Sequence, residues 1–173
     1  VLGEEDVKNV LKDLGYAPPD DLLRKNFYYY LQRTSHGSTL SRLVHACLAR
    51  RLGDNQLSWQ LYTEALKSDY IDIQGGTTKE GIHAGVMTGT VYFALRAFAG
   101  ISFRKEQLHV NPSLPTIWRE MKFQVTFKGA TYHFLIKPDK IKVKITGDER
   151  KSIFVGEKKI VLKPEEWQEV ETF

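Results

Sequence analysis

Apolar residues recur at intervals of three and four up to Ala99, and at intervals of two beyond Gly100. In the first region Val7, Val10, Leu11 and Leu14 define a helix over Glu4–Leu14, with Glu4, Glu5 and Asp6 in its first turn, where the dipole favours acids. Gly15 ends it and Pro18-Pro19 keep it ended. A second helix is predicted over Asp20–Gln32, with Leu22, Leu23, Phe27, Tyr30 and Leu31 as its buried stripe, although the run Tyr28-Tyr29-Tyr30 also suits a strand. Ser38 is the expected N-cap of a helix from Thr39 to about Arg51, whose apolar face is Leu40, Leu43, Val44, Cys47 and Leu48. Gly53 closes it. Asn55 opens another, to about Ser68, with Leu57, Leu61, Ala65 and Leu66 inside. The last helix is predicted from about Thr78 to Ala99. Gly81, Gly85 and Gly89 recur along it, a bare ridge open to close approach; each interior glycine costs up to about 1 kcal/mol against alanine, so the row needs a packing or functional reason.

Past Gly100 the pattern becomes that of strands. Met121, Phe123, Val125 and Phe127 alternate with polar residues, Gly129 turns the chain, and Tyr132, Phe134 and Ile136 follow. Pro138-Asp139 turn it again before Ile141, Val143 and Ile145 alternate with Lys140, Lys142 and Lys144. Shorter strands are predicted around Ile153–Val155 and Lys158–Leu162, and Leu108–Val110 is expected to add an edge. Clean alternation predicts antiparallel sheet with one wet face. About five helices followed by about five strands predict an α+β chain, with residues 1–103 helical and residues 104–173 a β domain. Five helices without parallel strands read as an incomplete helical array.

Composition narrows the setting. No apolar run reaches the length that crosses a bilayer, and no signal-peptide pattern is present, so a cytoplasmic protein without membrane partners is expected. The chain opens on Val1, which suggests a piece of a longer protein. Cys47 is the single cysteine, which excludes an internal disulfide or a cysteine-based zinc site. The net charge of +4 belongs to the C-terminal part: residues 1–103 carry 11 basic and 11 acidic groups, residues 104–173 carry 14 and 10. The Lys140/Lys142/Lys144 row is read as the solvated face of a strand that protects an edge. No stacking aromatic alternates with these lysines, so no nucleic-acid partner is expected.

Two polar stretches carry the candidate chemistry. In Gln74-Gly75-Gly76-Thr77-Thr78-Lys79-Glu80-Gly81-Ile82-His83, Thr77 and Glu80 have capping-box spacing, the glycines permit close backbone approach, and His83 is expected about one turn into the helix. Arg33-Thr34-Ser35-His36-Gly37-Ser38-Thr39-Leu40-Ser41 also opens a helix. Helix starts have unpaired amides and positive dipole ends, so two such loops suit an anion or a cluster of hydroxyls. Plain capping accounts for the first loop equally well. His83 by itself also suits an ordinary core or surface position. Asp69, Asp72 and Glu80 offer carboxylates for acid/base work, and no metal-ligand spacing relates His36, His45, His83, His109 and His133.

The Arg33–Ser41 stretch and the second stretch extended back to Asp72 (Asp72–His83), with Gly89-Thr90 after it, resemble the C-terminal signatures of glycoside hydrolase family 65, which holds maltose, trehalose and kojibiose phosphorylases and some hydrolases. Leu108-His109-Val110-Asn111-Pro112-Ser113-Leu114-Pro115 and the following strands are similar to the family's C-terminal β domain. The resemblance covers essentially the whole chain. It implies the last helices of an (α/α)6 barrel followed by a small antiparallel, jelly-roll-like β-sandwich. It also implies an inverting α-glucosyl disaccharide phosphorylase, with inorganic phosphate as co-substrate and no other cofactor. Gly37, Ser38, Thr39 and His83 match the family's phosphate-binding positions, and His36 lies toward the sugar. The implied partners are an α-linked glucose disaccharide, phosphate, the N-terminal part of the same enzyme and a second subunit in a homodimer.

The general-acid Glu of the family sits upstream, so no catalytic residue is expected in this segment, which alone would be inactive. Hydrolytic relatives place a base in the first loop, whereas Arg33 to Gly53 here contains no Asp or Glu. A water nucleophile would lack its base there, and phosphate needs none. A trehalase-like hydrolase of the same family and a stand-alone carbohydrate-binding or interaction module are the alternatives.

Overall fold

The structure, a computed structural model, describes residues 4–35, 38–71, 79 and 81–171. His36, Gly37, Asp72, the Gly75-Gly76 pair and the Thr77/Glu80 capping box lie outside the described residues. The chain forms two compact units, Val1–Met87 and Thr88–Phe173.

The first unit holds α1 (Glu4–Asp13), α2 (Leu22–Leu31), α3 (Thr39–Arg51), α4 (Asn55–Lys67) and the start of α5 (Ala84–Phe93). Gly15 ends α1 with φ +83°, donating to the Lys12 carbonyl while Tyr16 N reaches Leu11 O, the paired bonds of a left-handed helix stop. The tyrosine run is helical: Phe27 is buried, but Tyr30, expected inside, is 58% exposed.

α3 and α4 pack closely because small residues meet. Ala46, Ala49 and Ala65 are fully buried beside Leu43, Leu61 and Tyr62, and Ser58 Oγ donates to Ala46 O at 2.9 Å. Arg42 Nε donates to Glu64 Oε2 at 3.1 Å across the same pair. This corrects the expected apolar face of α3. The buried side runs through Thr39, Leu43, His45, Ala46 and Ala49, whereas Leu40 and Val44 are about half exposed and Cys47 is exposed. Ala46 and Ala49 let two backbones approach beside Leu43, and Leu40 and Val44 are left on another side. Asp54 caps α4, accepting from Leu57 N at 3.0 Å; Leu66, expected inside, is exposed.

The last helix starts later than the glycine spacing predicts. Gly81 has φ +93°, outside helical space, so it breaks the expected ridge. A Cβ on Gly85 would meet nothing within 4 Å, so among the described residues no close approach explains that glycine. After Phe93 the helix widens into a π turn, Ala94–Phe98.

The second unit contains two four-stranded sheets. One has the order β1 (Ile101–Arg104), β2 (Gln107–Val110), β6 (Lys151–Val155), β7 (Lys158–Leu162); the other β3 (Met121–Phe127), β4 (Ala130–Ile136), β5 (Lys140–Thr146), β8 (Gln168–Glu171). The boundary expected after residue 103 lies within β1. Leu108, Val110, Ile153 and Leu162 of one sheet share a core with Tyr132, Phe134, Ile136, Ile141, Val143 and Ile145 of the other, which makes the unit a β-sandwich. Burying such a side chain fully stabilises by roughly 1.5–3 kcal/mol.

Two strand readings change. β2 is internal, and it pairs parallel to β6, the single parallel pairing among these named strands. β5 is internal as well, so its lysines do not guard an edge. They lie on the wet face beside carboxylates: Lys140 and Lys142 are 3.1 and 3.0 Å from Glu169, and Lys144 is 3.0 Å from Glu165. The Lys142 and Lys140 ammonium groups hold the Glu169 carboxyl below the usual glutamate range by hydrogen bonding to its charged form.

Candidate functional site

The first loop is anchored at both described ends. Thr34 Oγ1 donates to Tyr30 O at 2.7 Å, and Arg33 stacks on Tyr29 with its guanidinium 3.9 Å from the ring centre. Ser41 Oγ turns back to Ser38 O at 2.7 Å. These two hydroxyls therefore satisfy backbone carbonyls. Ser38 differs: it is extended, with φ −108° and ψ 130°, and exposed, and its side chain makes no capping bond to the helix it opens. Thr39 is buried in the first turn of α3. His36 and Gly37 fall outside the described residues.

His83 lies at the head of α5, not a turn inside it. Its carbonyl accepts from Met87 N at 3.0 Å, the first helical bond. Its ring is fixed by Asp69, just past the end of α4. His83 Nδ1 lies 2.8 Å from Asp69 Oδ1, and the His83 backbone amide donates to Asp69 Oδ2 at 3.0 Å. One carboxylate thus holds both the ring and the main chain of His83. The Asp69 side chain is 9% exposed and that of His83 27%. An ionised carboxylate only accepts, so Nδ1 carries a proton in this contact.

The sequence offers Asp69 as an acid/base candidate, and the structure sets its carboxylate against the ring and the amide of His83. A legible signal existed: an acid just after a helix C-terminus opposes the dipole, so it needs a compensating partner.

Three other histidines have structural surroundings. His45 is buried, with Nδ1 2.8 Å from Ser41 O. His109 stacks on Phe154 at 4.6 Å between centroids. His133 Nε2 lies 3.1 Å from Thr146 Oγ1. Among the described residues, no group of three or more His, Cys, Asp or Glu is arranged to hold a metal ion. None of the described helices is long and apolar enough to cross a membrane.

A chain with α-helices, then a two-sheet sandwich, and a carboxylate-held histidine at a helix start matches one family in sequence. Residues 5–92 match the glycosyl hydrolase family 65 central catalytic domain, and residues 101–162 match the glycosyl hydrolase family 65 C-terminal domain. The chain belongs to glycosyl hydrolase family 65, and its α+β class is the one read from the sequence. It is 42% identical to the trehalose 6-phosphate phosphorylase of Lactococcus lactis over 85% of this chain and 19% of that protein. It is 32% identical to the kojibiose phosphorylase of Caldanaerobacter subterraneus over 83% of this chain and 19% of that protein. The solved structure of a putative kojibiose phosphorylase from human microbiome superposes with TM-score 0.74 at 23% identity, covering 94% of this chain and 23% of that one. The chain therefore spans about a fifth of the length of these two phosphorylases.

Proposed function

We propose that this segment supplies the phosphate-binding half of the active site in an inverting α-glucosyl disaccharide phosphorylase. Ser38, with Gly37 before it and Thr39 at the start of α3, and His83 share one phosphate, and His36 is assigned to the sugar side. The observation that carries the reading is the position of His83 at the head of α5, just before Ala84, with its Nδ1 2.8 Å from Asp69 Oδ1. An imidazole at a helix start adds a directed donor to the dipole and amides that already favour an anion. Relatives named as phosphorylases of trehalose 6-phosphate and kojibiose support the substrate class, an α-linked glucose disaccharide or its phosphate ester. The absence of any Asp or Glu from Arg33 to Gly53 disfavours a water nucleophile activated from that loop.

In this mechanism a phosphate oxygen attacks the anomeric carbon from the face opposite the leaving sugar. The glycosidic C–O bond breaks, and its oxygen takes a proton from a general acid in the upstream part of the enzyme. The products are β-glucose 1-phosphate and the released acceptor. His83, Ser38 and the loop amides hold phosphate in line and offset its charge. The segment alone is inactive, because it lacks the proton donor.

The test is steady-state kinetics of the full-length protein. His83→Ala and Ser38→Ala should each raise the KM for phosphate on the order of tenfold or more, as expected for lost hydrogen bonds to a charged ligand, while both variants still fold. Disaccharide cleavage indifferent to phosphate in the wild-type protein would show a hydrolase instead.

A further inference from the structure

We propose that Asp69 is a positioning residue for His83: its carboxylate holds the imidazole with the Nδ1 proton turned toward Asp69, so that Nε2 is the nitrogen presented to phosphate. The proposal rests on the phosphate reading above. Its geometric basis is the double contact, Oδ1 to the ring at 2.8 Å and Oδ2 to the His83 amide at 3.0 Å. Two bonds from one rigid carboxylate fix both the backbone at the helix start and the rotation of the ring. A single bond would leave the ring free to swing about it.

The chemical consequence concerns which nitrogen does what. Free neutral imidazole distributes its proton between two nitrogens, and the partner of one sets the role of the other. With Nδ1–H committed to Asp69, Nε2 is an acceptor when the ring is neutral and a donor when it is cationic. A ring that donates to Asp69 and to phosphate at once is an imidazolium, and the Asp69 carboxylate offsets its charge. The near-complete burial of that carboxylate keeps water from competing for the same two donors. Asp69 itself touches no substrate in this arrangement. It acts through His83.

Nitrogen-15 spectra of histidine-labelled full-length protein test the positioning without phosphate present. At a pH where the ring is neutral, His83 should show the Nδ1–H form, and Asp69→Ala should shift it to the Nε2–H form. Kinetics supply the second arm. Asp69→Ala should raise the KM for phosphate on the order of tenfold, comparable to losing one hydrogen bond to a charged group, while leaving the KM for the disaccharide unchanged. Asp69→Glu should recover part of both effects.

An Nε2–H form in the wild-type protein overturns the proposal, and this reading holds even if the Asp69 variants do not fold. An altered ring with an unchanged phosphate KM in Asp69→Ala also overturns it, provided His83→Ala raises that KM. If His83→Ala leaves the phosphate KM unchanged while the spectra behave as expected, Asp69 orients the ring but the phosphate reading itself is wrong, and the role proposed here falls with it.

Discussion

Gly100 lies so close to Asn111 that no side chain fits between them. A Cβ at Gly100 would overlap the Asn111 carbonyl and come within 2.8 Å of its amide nitrogen. The same two residues are tied by a hydrogen bond from Asn111 N to Gly100 O at 3.1 Å. Gly100 also has φ +66°, a conformation that L side chains disfavour. It ends the π turn and admits β1, so its conformation sets where the sandwich begins. Gly100→Ala therefore combines backbone strain with overlap against atoms that cannot rotate away. The expected loss is about 2–4 kcal/mol of unfolding free energy. Gly129→Ala is the control. Gly129 has φ +75° in the β3–β4 turn, with nothing within 4 Å of an added Cβ, so strain alone applies, about 1–2 kcal/mol. Urea denaturation of the two variants checks the difference. Equal losses would mean that the Asn111 contact relaxes at no cost.

Glu169 sits between two lysines, and its titration reports them. Its carboxyl is held below the usual glutamate range chiefly by Lys142, then by Lys140. The sign follows from the depressed folded value. The pair's contribution is present above the unfolded-state pKa and is lost as pH falls through the folded one. The groups are exposed, so the contribution is small and salt screens it. Carboxyl NMR should give a midpoint below that of a model glutamate, moving upward in Lys142→Met and less in Lys140→Met. A midpoint unmoved by either change would show that the contacts do not persist in solution.

The β region was legible in the sequence because β3, β4 and β5 each turn alternate apolar residues toward the core. Tyr132, Phe134 and Ile136, and Ile141, Val143 and Ile145, lie inside as alternation requires. β8 has no readable alternation, because Val170 alone among its four residues is an apolar residue that is buried. The internal place of β2 was hidden for a different reason: its parallel partner β6 lies 45 residues further along the chain, from Leu108 to Ile153, and periodicity does not encode pairing at that range. The helical part was legible in extent but less in orientation. α3 carries apolar residues on more than one side, and a hydrophobicity pattern cannot say that Ala46 and Ala49, not Leu40 and Val44, meet α4. At the candidate site the motif pointed to His83. Its partner Asp69 lies fourteen residues upstream, a separation that only the fold could bridge.

The two sides of α3 give the last prediction. Ala46 is fully buried against α4, whose Ser58 hydroxyl donates to its carbonyl at 2.9 Å, so extra volume there must push the helices apart. Ala46→Leu should cost about 1–3 kcal/mol, the range for an overpacked core. Leu40 and Val44 are 50% and 51% exposed in this chain. Lysine at either position should change the stability of the isolated chain by no more than about 0.5 kcal/mol, as for ordinary surface sites. In the full-length protein the outcome should differ. The segment is about a fifth of the length of those two phosphorylases, and a barrel's remaining helices need apolar faces to pack on. Leu40→Lys and Val44→Lys should then lower the melting temperature of the full-length protein while leaving that of the isolated chain in place. Matching effects in both would mean that upstream helices do not cover this side of α3.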